Sequence, residues 1–228
     1  MLFLGDCHEV ITSFPECIRV GAVVTDPPYG IGADARAHKD SGRQHGKQAA
    51  PKRDYEKSDW DSEAPPAEMF DTIRRMSEFQ IIFGGNFFPL PPSRCWLVWD
   101  KVNGDNDFAD CELAWTNMDK PIRRLEWMWN GMLRRGGEAR NSHPTQKPLG
   151  VMEWCLGHLP PVKSVLDPYM GSGTTGVACV KRKIPFIGIE REPKYFDIAC
   201  SRIESASNQP DILIPDNASP TRQDDIFS

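Results

Sequence analysis

Apolar residues fall along the chain in short runs separated by polar punctuation, and the runs are of two kinds. Seven are brief and drawn mostly from Val, Ile, Leu, Phe and Trp, the pattern of strands: Met1–Leu4, Val20–Thr25, Phe79–Phe83, Cys95–Trp99, Glu112–Thr116, Ser164–Leu166 and Phe186–Ile189. Four others repeat at helical spacing. They are Glu68–Ser77, with Met69, Ile73 and Met76 on one face; Leu149–Leu159; Thr174–Lys183; and Pro193–Ile203, with Phe196, Ala199, Cys200 and Ile203 on one face. Strands interleaved with crossover helices predict an α/β fold, a mostly parallel sheet covered on both faces. Two stretches show neither period. Residues 31–64 are polar and rich in Lys, Arg, Gly and His, which predicts a long loop of the kind that usually carries function or is disordered. Residues 204–228 have too little apolar content to offset their ordering entropy and are expected to be a disordered tail, leaving one domain over 1–203.

Composition narrows the partners. The 228 residues suffice for one such domain and carry 27 Lys and Arg against 32 Asp and Glu, a net charge of −5. A uniformly basic coat is excluded, but the charge is uneven. Five acidic residues and one basic residue lie in 204–228, so 1–203 is nearly neutral. Residues 31–57 hold seven basic and four acidic residues, and 119–148 hold seven basic and three acidic, so two basic segments are available for phosphates. No apolar run approaches the roughly 18 residues of a membrane helix, and the opening MLFLGD turns acidic too early for a secretory leader. A soluble, cytoplasmic protein is expected. The seven cysteines are scattered without a CxxC pair, which predicts reduced thiols and no metal site.

Two motifs carry chemistry. VLDPYMGSGTTGVACV, residues 165–180, runs from a strand through a glycine turn into a helix, a geometry that brings a ligand against the main chain at a helix N-terminus. A P-loop is excluded, because Val177 and Ala178 stand where Lys and Ser or Thr would hold phosphate and magnesium. A dinucleotide fold would need further strands after the acidic Glu190, and only one helical segment follows. Asp167, four positions ahead of Gly171, suits a cationic ammonium better than a pyrophosphate. An adenosine-bearing ligand with an amino acid end meets these demands: S-adenosylmethionine, with its ribose at Glu190 and its amino acid end near Asp167 and the glycine turn. The second motif, VVTDPPYGIG at residues 23–32, ends a strand on Asp26, Pro27, Pro28 and Tyr29. Paired prolines fix the backbone so that carbonyls near Asp26 point at a ligand with little entropy left to lose. Acceptors beside a stacking ring suit an exocyclic amine on a flat base. Accepting both its hydrogens at Asp26 and the Pro27 carbonyl would free its delocalised lone pair.

Together DPPY and DPYMGSGTT resemble the signatures of the amino-methylating DNA methyltransferases, the N6-adenine and N4-cytosine family. With the catalytic motif first and HPTQKP (His143–Pro148) just ahead of the cofactor motif, the order resembles its circularly permuted beta group. The resemblance implies a Rossmann-like, seven-stranded, mostly parallel sheet, with 119–142 as a short target-recognition segment. It assigns catalysis to Asp26, Pro27, Pro28 and Tyr29. Cofactor binding falls to Asp6 and Cys7 of LGDC, Thr145 and Lys147, Asp167, Pro168, Tyr169, Gly171, Ser172, Gly173, Thr174 and Glu190. Where the family commonly has Phe after Asp-Pro, this chain has Tyr169, whose hydroxyl needs a partner. Double-stranded DNA is the implied partner, met by Lys52, Arg53, Arg123, Arg124, Arg134 and Arg135, with Trp127 and Trp129 either stacking on DNA or packed in the core. A homodimer stays open. Asp26 favours adenine N6, since cytosine-N4 enzymes more often resemble SPPY. The alternatives are cytosine N4, an RNA or protein amine, and a non-catalytic nucleic-acid-binding protein of the same fold. The absence of a Pro-Cys motif argues against C5 methylation.

Overall fold

The computed structural model describes residues 1–31, 61, 63–103, 109–129 and 146–209. Its strands are β1 (Leu2–Leu4), β2 (Val20–Thr25), β3 (Ser77–Phe83), β4 (Trp96–Asp100), β5 (Cys111–Thr116), β6 (Arg123–Glu126), β7 (Val165–Asp167) and β8 (Phe186–Glu190). Its helices are α1 (Cys7–Thr12), α2 (Ala67–Met76), α3 (Leu149–His158), α4 (Thr174–Lys181) and α5 (Pro193–Asn208). All the strands join one sheet in the order β1-β8-β7-β2-β3-β5-β4-β6. Every neighbouring pair is parallel except the two that β5 makes with β3 and β4.

The doubly wound arrangement follows from period-two alternation within strands buried on both sides. In β2, Ala22 and Val24 join a core with Val151, Met152 and Cys155 of α3, Ala178 and Cys179 of α4, and Ala199 of α5. Val23 faces the other way, into a core with Ile11 of α1 and Met69, Phe70, Ile73 and Met76 of α2, which Val20 joins where the strand begins and the alternation is not yet set. Neighbouring strands divide in the same fashion: Ile81 and Phe83 against Ile82, Val165 against Leu166, and Phe186 against Ile189. Among the described residues, three helices therefore cover one face and two the other. Among the described residues no helix is long and apolar enough to cross a membrane, and all seven cysteines are free.

Each of the seven expected strands and four expected helices forms, with three differences. An eighth strand, β6, adds Arg123–Glu126 alongside β4. Its RRLE sequence gives no apolar alternation, because as an edge strand it buries little. Helix α1 was also not anticipated. It is six residues long, too short for periodicity, and rests on Asp6, whose carboxylate accepts from His8 N–H at 2.8 Å and Glu9 N–H at 3.2 Å. Finally, α5 continues to Asn208, beyond the expected boundary at Ile203; the remaining tail from 210 lies outside the described residues.

Helix α4 begins at Gly173, which has φ of +79°, and a Cβ there would lie 2.9 Å from that of Ala199 on α5. Both backbone conformation and helix packing exclude a side chain. Gly173→Ala is expected to destabilise the fold by about 1–3 kcal/mol, read as a lower urea midpoint; an unchanged midpoint would contradict this packing.

Candidate functional site

Strand β7 passes the chain through α4 to β8, while β2 passes it through α2 to β3 on the opposite side. Where two adjacent parallel strands send their connections in opposite directions, a crevice opens beyond their C-terminal ends. Strands β2 and β7 are those neighbours, with Ala22 opposite Val165 and Val23 opposite Leu166. Their ends are tied by a buried hydrogen bond, Thr25 Oγ1 donating to Asp167 Oδ1 at 2.7 Å. Residues that follow β2 and β7 thus meet around one cavity of about 330 Å³, a volume suited to a small ligand.

One wall comes from the segment after β7. Asp167, Pro168, Tyr169, Gly171, Ser172 and Thr174 line the cavity, joined by Glu190 at the end of β8. Gly171, at φ +51°, donates its N–H to Glu190 Oε2 at 2.9 Å, and Glu192 N–H donates to Oε1 at 2.8 Å. Burial pushes the Glu190 carboxyl above its ordinary value. Arg202 of α5 fastens the turn from behind, donating to the Ser172 carbonyl at 2.5 Å and the Thr174 hydroxyl at 3.1 Å. Gly173 is not on the cavity wall; its lack of a side chain serves α5.

Asp6 and Cys7 also line the cavity. The Tyr169 hydroxyl finds its partner in Cys7, and burial pushes both groups above their ordinary values. The substitution of Tyr for the commoner Phe is therefore matched by a thiol within hydrogen-bonding reach.

Asp26 and Pro28 form the facing wall together with Lys147; Pro27 and Tyr29 are not on it. The Tyr29 hydroxyl donates to Asp26 Oδ1 at 2.7 Å, and Lys147 Nζ lies 2.5 Å from Asp26 Oδ2. The turn is held by Asp61, which accepts from Tyr29 N–H at 2.7 Å and Gly30 N–H at 3.0 Å. Tyr29 also stacks on Phe87, with centroids 5.0 Å apart and planes at 18°. Gly84 of the GGN segment makes room for the ring, since a Cβ there would stand 2.2 Å from it. Lys147 reaches a second carboxylate, Glu112 on β5, at 3.0 Å, and Glu112 pairs in turn with Lys101 at 2.6 Å. Burial raises the Asp26 carboxyl despite the opposing Lys147. Burial would raise Glu112 too, but Lys147 and then Lys101 outweigh it and hold that carboxyl down at about 2.

Among the residues expected at the site, Asp26, Pro28, the segment from Asp167 to Thr174 except Gly173, and Glu190 come together with Asp6, Cys7 and Lys147, while Pro27 and Tyr29 stand behind the wall. Lys52, Arg53, Arg134, Arg135 and Thr145 lie outside the described residues. Arg123 and Arg124 sit on the exposed edge strand β6, where Arg124 pairs with Glu126 and Asp100. The two tryptophans pack on the core: Trp127 lies where a Cβ on Gly150 would be, and Trp129 is partly buried beside it. Thr25, Asp61 and Glu112 escaped sequence reasoning. Thr25 and Glu112 read as strand residues, and Asp61 sits at the end of a polar stretch without a pattern. Among the described residues no group of three or more His, Cys, Asp or Glu side chains is placed to hold a metal ion.

Asp167 stores a measurable cost. Burial pushes its carboxyl from the ordinary 3.8 up to about 6, against the opposing donors Thr175 (2.6 Å), Thr25 and Tyr169 N–H (3.1 Å). A folded-state value above the unfolded one means that protonation favours the fold. That contribution is complete below the ordinary value and is lost as pH rises through about 6. Asp167→Asn is expected to remove this acid-side slope and to raise unfolding free energy at pH 7.5 by about 1–3 kcal/mol, measured by urea denaturation across pH. An unaltered slope would contradict it.

Residues 95–201 match the family model for DNA methylases of the N6/N4 methyltransferase type. Among curated proteins, the type II methyltransferase M2.DpnII of Streptococcus pneumoniae is 38% identical over 87 residues, 36% of this chain and 32% of that protein. M2.MboI of Moraxella bovis is 29% identical over 144 residues, 63% of this chain and 47% of its own length. M2.LlaDCHI of Lactococcus lactis subsp. cremoris is likewise matched over 32% of its length, so the aligned segments span between about a third and a half of these relatives. Among solved structures, the M1.HpyAVI–SAM complex superposes with a TM-score of 0.55 at 26% identity, covering 89% of this chain and 98% of that one. The cytosine-N4-specific PvuII DNA methyltransferase shares the fold at a TM-score of 0.51 and 14% identity, over 93% of this chain and 87% of that one. Both motifs gather at one crevice, and over residues 95–201 the chain is similar to the N6/N4 DNA methylase family, whose sheet it shares.

Proposed function

We propose that the protein transfers a methyl group from S-adenosylmethionine to the exocyclic amine of a DNA base, adenine N6 in preference to cytosine N4. The observation that carries this reading is the single cavity walled on one side by Asp26 and Pro28 and on the other by the Gly171 turn and Glu190. The residues present fit the cofactor. Gly171 leaves the main chain open, and Glu190 is the residue to hold a ribose. Asp167 uses three of its roughly four acceptor positions internally and keeps one for an ammonium. The solved relative at 26% identity is itself a complex with this molecule. When bound, S-adenosylmethionine supplies an electrophilic methyl group on a sulfonium.

The chain's own residues supply orientation. A base in a duplex is out of reach and must be flipped into the cavity. Asp26 already receives Tyr29 and Lys147, one on each oxygen, and retains acceptor capacity for an amine N–H. The Pro27 carbonyl, set behind the cavity wall in this structure, takes the second N–H once the turn shifts toward the base, which loosens the lone pair from the ring. Tyr29 is the stacking platform; its ring lies behind the cavity wall against the exposed Phe87, so the base must displace that side chain to stack on it. Catalysis is then positioning and hydrogen-bond polarisation without a covalent intermediate. The aspartate at the first position of the motif supports adenine. Double-stranded DNA inside the cell is the corresponding substrate.

Nucleosides from DNA of a host expressing the chain should contain N6-methyladenine by mass spectrometry. N4-methylcytosine instead would reverse the base preference, and methylation confined to RNA or protein would overturn DNA as substrate. Asp26→Ala should lower transfer by at least about 100-fold while S-adenosylmethionine binding stays within a few-fold. Lys147 would still be held by Glu112.

A further inference from the structure

Glu112 lies on β5, the reversed strand, and no motif directs attention to it. Its carboxylate nevertheless reaches the same ammonium that grips Asp26. The four groups form a series, Lys101–Glu112–Lys147–Asp26, with separations of 2.6, 3.0 and 2.5 Å. The Lys147 side chain is only 10% exposed, with its ammonium 5.2 Å from the Phe83 ring centroid and 5.8 Å from that of Tyr29, so water does little to screen it.

An ammonium held by Asp26 alone would saturate that carboxylate. It is a far stronger donor than the weakly polar N–H of a base amine, and it would hold the acceptor that the reaction needs. A second carboxylate on the same ammonium divides its attraction. Lys101 in turn keeps Glu112 ionised, so the series stays neutral in sum. We infer that Glu112 is a positioning residue: by sharing Lys147 it loosens the ammonium's hold on Asp26 and leaves that carboxylate free to accept hydrogen bonds from the substrate amine. This rests on the reading that Asp26 receives that amine. Among the described residues, the groups facing Asp26 are Lys147 from the start of α3, Glu112 from β5, Tyr29 from its own turn and Asp167 from β7. Asp61 stands behind Tyr29, Lys101 reaches Glu112 from β4, and Cys155 of α3 faces Lys147.

Removing the Glu112 charge leaves the pull of Lys147 on Asp26 unopposed, so Asp26 should protonate at lower pH and bind Lys147 more tightly. Removing Lys101 does the reverse. The test pairs Glu112→Gln with Lys101→Met in the full chain and follows the Asp26 carboxyl by carbon-13 NMR, a readout that needs no DNA. The Asp26 midpoint should fall by roughly half a unit or more in Glu112→Gln and rise in Lys101→Met. In Glu112→Gln, kcat should drop about tenfold with KM for S-adenosylmethionine within about twofold, and the acid limb of the pH profile should move down with the midpoint. Glu112→Asp, which keeps the charge, should return the limb toward its original position. Midpoints that do not move, or that move in the same direction in both variants, overturn the inference, as does an unchanged kcat in Glu112→Gln. A wild-type chain that methylates no DNA would defeat the proposed function instead, and the titrations would still decide the coupling.

Discussion

The buried contact between the Thr25 hydroxyl and the Asp167 carboxylate is the constraint on which the site depends. It joins residues 142 positions apart and fixes the ends of β2 and β7 side by side. Because the chain leaves those ends in opposite directions, the space above them is left open, and both motif-bearing turns start there. Placing a carboxylate at this depth is expensive. Two threonine hydroxyls and the Tyr169 amide reduce the cost without removing it, which is why the group resists ionisation.

The two walls use charge differently. At the Gly171 turn, single carboxylates are satisfied by backbone N–H groups and hydroxyls, leaving acceptor capacity facing the cavity. At the Asp26 turn, two carboxylates and two ammonium groups balance each other across β2, β4, β5 and the start of α3. A balanced series tolerates burial, since each member is paired. It also holds Asp26 at intermediate strength: free, its carboxylate would be driven toward protonation by burial, and fully paired, it would have nothing to offer a substrate.

Much of this was legible in the chain. The strands and main helices were readable because their apolar periods report burial directly, and the two turns because glycine, proline and acid spacing constrain backbone and chemistry together. The remainder was hidden for physical reasons. An edge strand such as Arg123–Glu126 buries too little to leave an apolar imprint. The cap of α1 was visible in principle as Asp6 followed by Glu9, the spacing of a capping box. Gly173 looked like a ligand-facing glycine, whereas Ala199 and Ile203 of α5 account for it. The pairing of Tyr169 with Cys7, and of Glu112 with Lys147, depends on sheet order, which local pattern does not encode.

The most direct test of the central claim is a crystal structure of the protein soaked with S-adenosylhomocysteine. The account predicts density in the cavity between Asp26 and the Gly171 turn, with the ribose against Glu190 and the sulfur facing Asp26. Density elsewhere, for example in the groove lined by Pro91, Arg94 and Asp119 at the far side of the sheet, with the cavity empty, would contradict it.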